Sequence, residues 1–258
     1  MAHADHGPKY LAHHFDTPQQ QFQAAKLGMW LFLAQEILFF SGLFVAYGIF
    51  RAWYPESFSV GSHLLDWKMG AANTVVLLFS SFTAAMAVRA AQIGEQTGVS
   101  EQDKLKLGGK AWTSRFLWIT FVCAGLFMVV KYVEYSHKIH VGTLPGQFFG
   151  HPGFDMGAIA GEEFYEEMAA AGRAAYESGG TAVVPFHLRT FFGIYFVMTG
   201  LHGLHVIIGM GLCLWIIRKN ARGDFSAEYN TPVDAFALYW HLVDLVWIFL
   251  FPLLYLID

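Results

Sequence analysis

The chain has 258 residues, of which 55% are hydrophobic and only 14% are charged. Soluble domains contain about 25% charged residues on average, so this chain lacks the polar surface that a water-exposed protein needs. Its 16 basic residues are balanced by 20 acidic ones and form no basic stripe, which argues against nucleic-acid binding. The composition therefore excludes a soluble globular protein and predicts an integral membrane protein.

The apolar stretches of the chain have the length of membrane spans, since a helix of roughly 20 residues crosses a bilayer. Five such stretches lie at about 27–50, 70–92, 114–136, 188–217 and 235–257. We therefore predict an all-α bundle of five transmembrane helices that forms a single domain over residues 1–258. Thr17, Pro18 and Gln20 predict the start of the first helix, with Thr17 as its N-cap. The first 26 residues contain no apolar segment, so no cleavable signal peptide is expected.

Basic residues are distributed unevenly between the two sides of the predicted bundle. Ten lie on the side of the N-terminus: Lys9, Lys26, Arg89, Lys104, Lys106, Lys110, Arg115, Arg218, Lys219 and Arg222. Five lie on the other side: Arg51, Lys68, Lys138, Arg173 and Arg189. The remaining basic residue, Lys131, lies within the third span. Because Lys and Arg concentrate in cytoplasmic loops, the sequence predicts a cytoplasmic N-terminus with a tail at 1–26. It also predicts a long periplasmic loop at 137–187, whose second half is helical.

Ionisable side chains lie in the central part of three predicted spans: Glu36, His202, His205, His241 and Asp244. A charge at the bilayer centre costs about 2.5–3.5 kcal/mol, so these groups must face protein, lipid head groups or water. Two interpretations stay open, namely hydrogen bonds between helices alone or a role in proton transfer. Glu36 is the stronger functional candidate, since an amide would form similar hydrogen bonds without the cost of ionisation. Because burial disfavours a charged carboxylate, Glu36 is predicted to be largely protonated at neutral pH.

Lys131 and Glu134 stand three residues apart near the outer end of the third span. This spacing predicts a local ion pair on one helix face. The long lysine side chain is expected to snorkel, which means that its ammonium group extends to the membrane–water interface.

Glycine is frequent in the fourth span. Small residues allow transmembrane helices to approach closely. We therefore expect close helix contacts at Gly193, Gly200, Gly203, Gly209 and Gly211.

No metal or haem site is expected in this chain. Cys123 and Cys213 lie inside predicted spans and have no metal-ligand spacing. The N-terminal histidines are interpreted as a solvated tail: His3, His6, His13 and His14. Haem ligation by His205 with His241 stays an open alternative, because these two residues belong to different helices.

Five motifs occur in order on the five spans. They read GMWLFLAQEILFFSGLF, ANTVVLLFSSFT, KYVEY, TGLHGLHVIIG and YWHLVDLVWIFLF. One such motif alone would be a weak signal, but the ordered set resembles subunit III of the haem–copper terminal oxidases. The resemblance covers all the spans and leaves the N-terminal tail and the 137–187 loop unmatched.

The resemblance implies an accessory subunit without a catalytic residue or redox centre of its own. Haem and copper would lie in the catalytic subunit, subunit I, against which this chain would pack together with other oxidase subunits. The complex would be a proton-pumping cytochrome c oxidase of the aerobic respiratory chain in a bacterial inner membrane, and cytochrome c would bind to that complex. This chain would stabilise the catalytic subunit, hold structural phospholipid in a cleft and support proton uptake.

Individual positions match the motifs of the family. Glu36 falls on the intramembrane carboxylate, and His202 and His205 fall on the HGxHV motif. His241 and Asp244 fall on the WHxxD motif. By the same analogy, lipid phosphates would bind at the inner end of the fourth span, where anionic head groups lie. The candidate residues there are Arg218, Lys219 and Arg222.

The sequence leaves several alternatives open. Many family members have seven spans, and the source of the first two is undetermined for this chain. The glutamate at position 36, with ANT and KYVEY, favours the cytochrome c branch over the quinol branch. Subunit III of a quinol oxidase, or a homologue associated with nitric oxide reductase, is the next alternative. An independent proton transporter using Glu36 and Asp244, or a membrane cytochrome with its own haem, would be a different class of protein.

Overall fold

The computed structural model describes residues 11–93, 108–145, 149, 159–177, 187–225 and 229–257. Within these residues the chain forms seven helices: α1 (Pro18–Trp53), α2 (Pro55–His63), α3 (Trp67–Ile93), α4 (Lys110–His140), α5 (Ile159–Glu177), α6 (Leu188–Arg222) and α7 (Thr231–Tyr255). Helices α1, α3, α4, α6 and α7 are long and apolar enough to cross a membrane. The predicted all-α fold with five transmembrane helices is therefore confirmed.

The start of α1 is set by side-chain hydrogen bonds. The backbone N–H of Gln20 donates to Thr17 Oγ1 at 3.2 Å, and the Gln20 side chain accepts from the backbone N–H of Asp16 at 2.9 Å. These bonds satisfy amide groups that the first helical turn leaves without partners. The predicted N-cap at Thr17 is confirmed. Residues 1–10 of the predicted tail lie outside the described residues.

The bundle has two ends that differ in structure. At the Gly109 end, α1, α4 and α7 begin and α3 and α6 end. Gly109 precedes α4 with a φ of 94° and Gly223 ends α6 with a φ of 81°, backbone conformations that favour glycine. At the opposite end, called the α2 end, α2 packs against α5 and α6. Lys138 of α4 donates there to the carbonyl of Leu64 and lies 3.2 Å from the Glu167 carboxylate of α5.

The predicted helix within the 137–187 loop is confirmed as α5, while its predicted stop at Gly179 and Gly180 lies outside the described residues. Buried side chains on α5 include Met168 and Ala171. The first residues assigned to the loop, up to His140, belong to α4.

The five spanning helices are enclosed to very different degrees. Half of the central residues of α7 are buried inside the protein, compared with 11% of those of α1. Helix α3 contacts both α4 and α7 extensively. Its hydroxyls accept indole N–H bonds from α7, from Trp240 to Ser80 at 2.9 Å and from Trp247 to Thr74 at 3.0 Å. The bundle therefore consists of four tightly packed helices, with α1 resting on the outside of α6 and α7.

Glycine permits a close helix approach at one of the five positions predicted in α6. A Cβ atom on Gly209 would lie 2.5 Å from a ring carbon of Trp240, which is too close for any larger residue. Among the described residues, no atom lies within 4 Å of the same position on Gly203 or Gly211. The prediction is therefore wrong for these two residues, because they lie on parts of the α6 surface that no neighbouring helix covers.

Candidate functional site

Glu36 forms an ion pair or shared hydrogen bond with His205, which joins α1 to α6. Glu36 Oε2 lies 3.0 Å from His205 Nε2, and the two side chains are 13% and 15% exposed. His205 Nδ1 lies 2.7 Å from the carbonyl oxygen of Leu201. A carbonyl only accepts, so Nδ1 must carry a proton in this geometry. One further proton is then shared between Nε2 and the carboxyl group, and the pair is neutral overall wherever that proton resides.

The imidazole of His205 is held from several sides. The O–H of Tyr239 on α7 donates to the backbone carbonyl of His205 at 2.8 Å. The ring of Phe40 lies 5.2 Å from the His205 ring between centroids. These contacts fix the imidazole against α1, so that its Nε2 atom faces Glu36.

An apolar cleft, called the α1 cleft, leads from this pair toward the Gly109 end. It has a volume of about 460 Å³ and lies between α1, α6 and α7. Its walls include Phe32 of α1, Trp215 of α6 and Phe236 of α7, and Glu36 and His205 line its far end. The cleft exists because α1 is packed loosely against the other helices.

Basic residues stand near the mouth of the α1 cleft, at the end of α6. Lys219 follows two cleft-lining residues, Trp215 and Ile216, by one helical turn, so it lies on the same helix face. Its ammonium group is 4.6 Å from the centre of the Trp215 ring, a cation–π distance. Arg218 and Arg222 are exposed at this end.

The two histidines of HGxHV have separate environments, although they are three residues apart. His202 is fully buried, with ring centroids of Phe127 and Trp247 at 5.5 and 5.2 Å. His205 instead faces α1. The structure therefore does not bring His202 together with Glu36.

The two ionisable residues of WHxxD are also separated. His241 Nδ1 lies 2.6 Å from the hydroxyl of Ser81 on α3 and is half-buried. Asp244 is 3% exposed, and its carboxyl oxygens have no hydrogen-bond partner within the part of the chain that the structure describes. These positions lie in the interface of α7 with the other helices, away from the α1 cleft.

Lys131 and Glu134 form the predicted ion pair, with Nζ and Oε2 2.8 Å apart. The prediction that Lys131 snorkels is wrong, since the two side chains are only 7% and 4% exposed. Glu134 Oε1 accepts from the hydroxyls of Tyr195 at 2.9 Å and Tyr255 at 2.5 Å. Lys131 also donates to the Tyr255 oxygen at 2.8 Å. These four residues, called the Lys131 network, connect α4, α6 and α7 near the α2 end.

Acidic, imidazole and thiol side chains do not gather into a metal site in the described ranges, where no three of them lie close enough to hold an ion. His3 and His6 fall outside those ranges. The Glu36–His205 pair supplies a single carboxylate and a single imidazole, which is fewer than the ligands that a protein metal site needs.

Comparisons with known proteins show what the chain is similar to. A family model described as cytochrome c oxidase subunit III matches residues 183–258. Cytochrome c oxidase subunit 3 of Thermostichus vulcanus is 29% identical, over 90% of this chain and 87% of that protein. Probable cytochrome c oxidase subunit 3 of Nocardia farcinica is 27% identical, with the same coverage of each chain. The chain is thus similar to subunit III of these oxidases over most of its length.

The chain also matches relatives that are named quinol oxidase subunit 3. Quinol oxidase subunit 3 of Bacillus subtilis is 25% identical, over 100% of this chain and 98% of that protein. The five apolar helices indicate a multi-pass membrane protein, and the relatives are named as subunits of oxidases. The names of the relatives include both cytochrome c and quinol oxidases, so similarity alone does not determine the electron donor.

The sequence analysis did not predict several residues that contact the candidate polar side chains. Tyr195 and Tyr255 were missed because tyrosines near span ends are expected at the membrane interface. Tyr239 lies deeper, and Asn73 occurred only within the ANTVVLLFSSFT motif of the second span. The presence of Lys131 and Glu134 within a span was a usable signal. Charged side chains at this depth need hydrogen-bond donors and acceptors from other helices.

Proposed function

We propose that this chain is a non-redox accessory subunit of a proton-pumping haem–copper oxygen reductase of the cytochrome c oxidase type. It stabilises the catalytic subunit, which holds haem and copper, binds phospholipid in the α1 cleft and supports proton uptake. The observation that carries the proposal is the Glu36–His205 pair, a proton-sharing group at the end of an apolar cleft. Such a pair offers a proton site at membrane depth without a net charge.

The loose packing of α1 supports a role within a complex. Large apolar side chains on α1 are exposed, including Leu31 at 64% and Leu38 at 74%. Glu36, which is only partly covered by its own chain, lies on the same helix. Intramembrane carboxyl groups need shelter from hydrocarbon. Neighbouring subunits and bound lipid provide that shelter in this proposal.

A phospholipid is the proposed occupant of the α1 cleft. The cleft is apolar over most of its length, as an acyl chain requires, and Lys219 at its mouth supplies a positive charge for a phosphate. Arg218 precedes Lys219 and is rotated by about 100° around the helix, because α6 has 3.6 residues per turn. Lys219 is therefore the main phosphate ligand, with Arg222 one turn further along α6.

The proposed orientation places the Gly109 end in the cytoplasm of a bacterial cell. This end carries most of the basic residues, including Lys110, Arg115 and the three at the end of α6. A reporter fused after residue 257 tests it, since α7 ends at the α2 end, which would be periplasmic. A reporter that is active only in the cytoplasm would contradict this orientation.

Purification of the complex tests the proposed function. The chain is isolated from its native membrane in mild detergent, its partners are identified by mass spectrometry and an optical spectrum is recorded. We expect a haem-containing catalytic subunit to co-purify and oxygen consumption to follow addition of reduced cytochrome c. A haem that remains with the separated chain, or proton transport by that chain alone in liposomes, would contradict the proposal.

A quinol oxidase is the second candidate. The full-length matches to proteins named quinol oxidase subunit 3 favour it. The purified complex distinguishes the two, because a quinol oxidase consumes oxygen with quinol and not with reduced cytochrome c.

Lipid retention tests the role of Lys219. In the purified complex, Lys219→Gln is expected to lower the amount of tightly bound phospholipid, measured by mass spectrometry of extracted lipids. Arg218→Gln is the matched control, since it removes the same charge one residue away from the cleft face. Equal lipid content in both variants and the wild type would remove Lys219 from the proposed site.

A further inference from the structure

Three buried polar side chains in the interior of the bundle have no well-aligned protein partner among the described residues. Asn73, His202 and Asp244 are 1%, 0% and 3% exposed. Their side-chain nitrogen and oxygen atoms have no partner of good hydrogen-bond geometry in the part of the chain that the structure describes, and the Ser81 hydroxyl is the group that interacts with the Asp244 carboxyl. An unsatisfied buried polar group destabilises the folded state, because burial removes its hydrogen bonds to water. Three such residues in one small bundle would therefore destabilise the fold strongly unless another molecule forms hydrogen bonds with them.

The three residues lie near one residue, Trp247 of α7, either in space or through a neighbour in the sequence. Asp244 precedes Trp247 by three residues and so lies one turn away on the same helix. The His202 ring is 5.2 Å from the Trp247 ring between centroids. Asn73 is adjacent to Thr74, whose hydroxyl accepts the Trp247 N–H at 3.0 Å. These residues are called the Trp247 cluster, and they come from α3, α6 and α7.

The chemistry of the cluster suits water. Asn73 offers two N–H donors and a carbonyl acceptor, neutral His202 offers one donor and one acceptor, and Asp244 offers acceptors. The side chains do not bond directly to one another, yet they approach a common residue. Buried water typically forms about three hydrogen bonds to polar groups of this kind and bridges those that are too far apart to pair.

We propose that the Trp247 cluster is an internal water-binding site, in which ordered water molecules bridge Asn73, His202 and Asp244. The site is separate from the α1 cleft, because His202 and His205 point to different neighbours on α6. It adjoins the Lys131 network, since the Lys131 ammonium group lies 5.0 Å from the centre of the same Trp247 ring. Bridging water thus joins α3, α6 and α7 where direct side-chain bonds are missing. This inference does not depend on the electron donor of the complex.

A structure of the complex at a resolution that reveals ordered water provides the direct test. We expect water density within hydrogen-bond distance of at least two of the three side chains. Rotated side chains that pair directly with protein groups, with no water between them, would overturn the proposal.

Radiolytic labelling of the intact complex in ¹⁸O-water gives an independent measurement, because hydroxyl radicals label side chains next to bound water. Trp240 is the matched control: it is also on α7, is 1% exposed, and donates its N–H to an α3 hydroxyl. Trp247 and His202 are expected to be labelled several-fold faster than Trp240. Equal rates for the two tryptophans would overturn the proposal.

Substitution of Asn73 identifies the ligands of the water. In Asn73→Leu, a side chain of similar size cannot hold water, so labelling of Trp247 is expected to fall toward that of Trp240. Unchanged labelling in an assembled variant complex would overturn the assignment of Asn73 to the site. If the variant complex fails to assemble, the wild-type ratio of Trp247 to Trp240 labelling still decides the proposal.

Discussion

Among the described residues, two intramembrane acid–base pairs have opposite surroundings. The Lys131–Glu134 pair is enclosed by α4, α6 and α7, and two tyrosine hydroxyls complete its hydrogen bonds. The Glu36–His205 pair lies between α6 and the loosely packed α1 and borders an apolar cleft. One pair is enclosed by its own chain, whereas the other is sheltered only in part.

This difference indicates that the first pair stabilises the fold, whereas the second pair can interact with a proton or a ligand. A lysine and a glutamate that are fully buried must keep each other charged and bonded, since the loss of either leaves an unpaired ion. A histidine and a carboxyl group that share one proton stay neutral as a pair and border a space that a ligand can enter. We therefore expect mutations of the first pair to affect folding and mutations of the second to affect the complex and its lipids.

The largest effect is expected for Lys131→Met. This change leaves the Glu134 carboxylate buried without its counter-ion, and removal of one partner of a buried pair costs about 3–5 kcal/mol. The free energy of unfolding of the chain, measured in mixed micelles after release from the complex, reports this loss. The double variant Lys131→Met/Glu134→Gln carries no unpaired charge and should recover part of it. A double variant that is less stable than either single one would show that the pair is not coupled as described.

A smaller effect is expected for Tyr255→Phe, which removes a hydroxyl that donates to Glu134 and accepts from Lys131. Hydrogen bonds to charged groups contribute about 1.5–3 kcal/mol, so a loss in this range is predicted for the same unfolding measurement. Tyr132→Phe is the control, because Tyr132 is 74% exposed on α4. Equal stability of the two variants would mean that the Tyr255 hydroxyl adds nothing to the network.

The smallest effect on folding is expected for Glu36→Gln. An amide keeps a hydrogen bond to His205, and intramembrane side-chain hydrogen bonds average about 0.6 kcal/mol, so stability should change by less than about 1 kcal/mol. Glu134→Gln is the matched comparison, since the same chemical change there leaves Lys131 unpaired and should cost several times more. Similar losses in both variants would contradict the distinction between the two pairs.

Hydropathy and spacing were sufficient for the helices and for contacts within one helix. The five spans, the Thr17 cap and the pairing of Lys131 with Glu134 follow from patterns over a few residues. The snorkelling prediction failed because spacing does not reveal which side of α4 faces other helices.

Contacts between distant segments could not be predicted. Glu36 and His205 are 169 residues apart, and no local pattern joins them. The two histidines of α6 are only three residues apart, but a rotation of about 60° over three residues is enough to place His202 in the core and His205 against α1. The glycine predictions failed at Gly203 and Gly211 for a similar reason, since a small residue allows contact only where a neighbour is present.

The sparse contacts of α1 have a consequence for biogenesis. This helix is synthesised before α6 and α7, the two helices that hold it, so it enters the bilayer with no docking surface available. In the folded chain α1 still makes few contacts with the other helices, and the Glu36 side chain stays 13% exposed. Most of the surface of α1 therefore faces lipid during synthesis and in the separate chain alike.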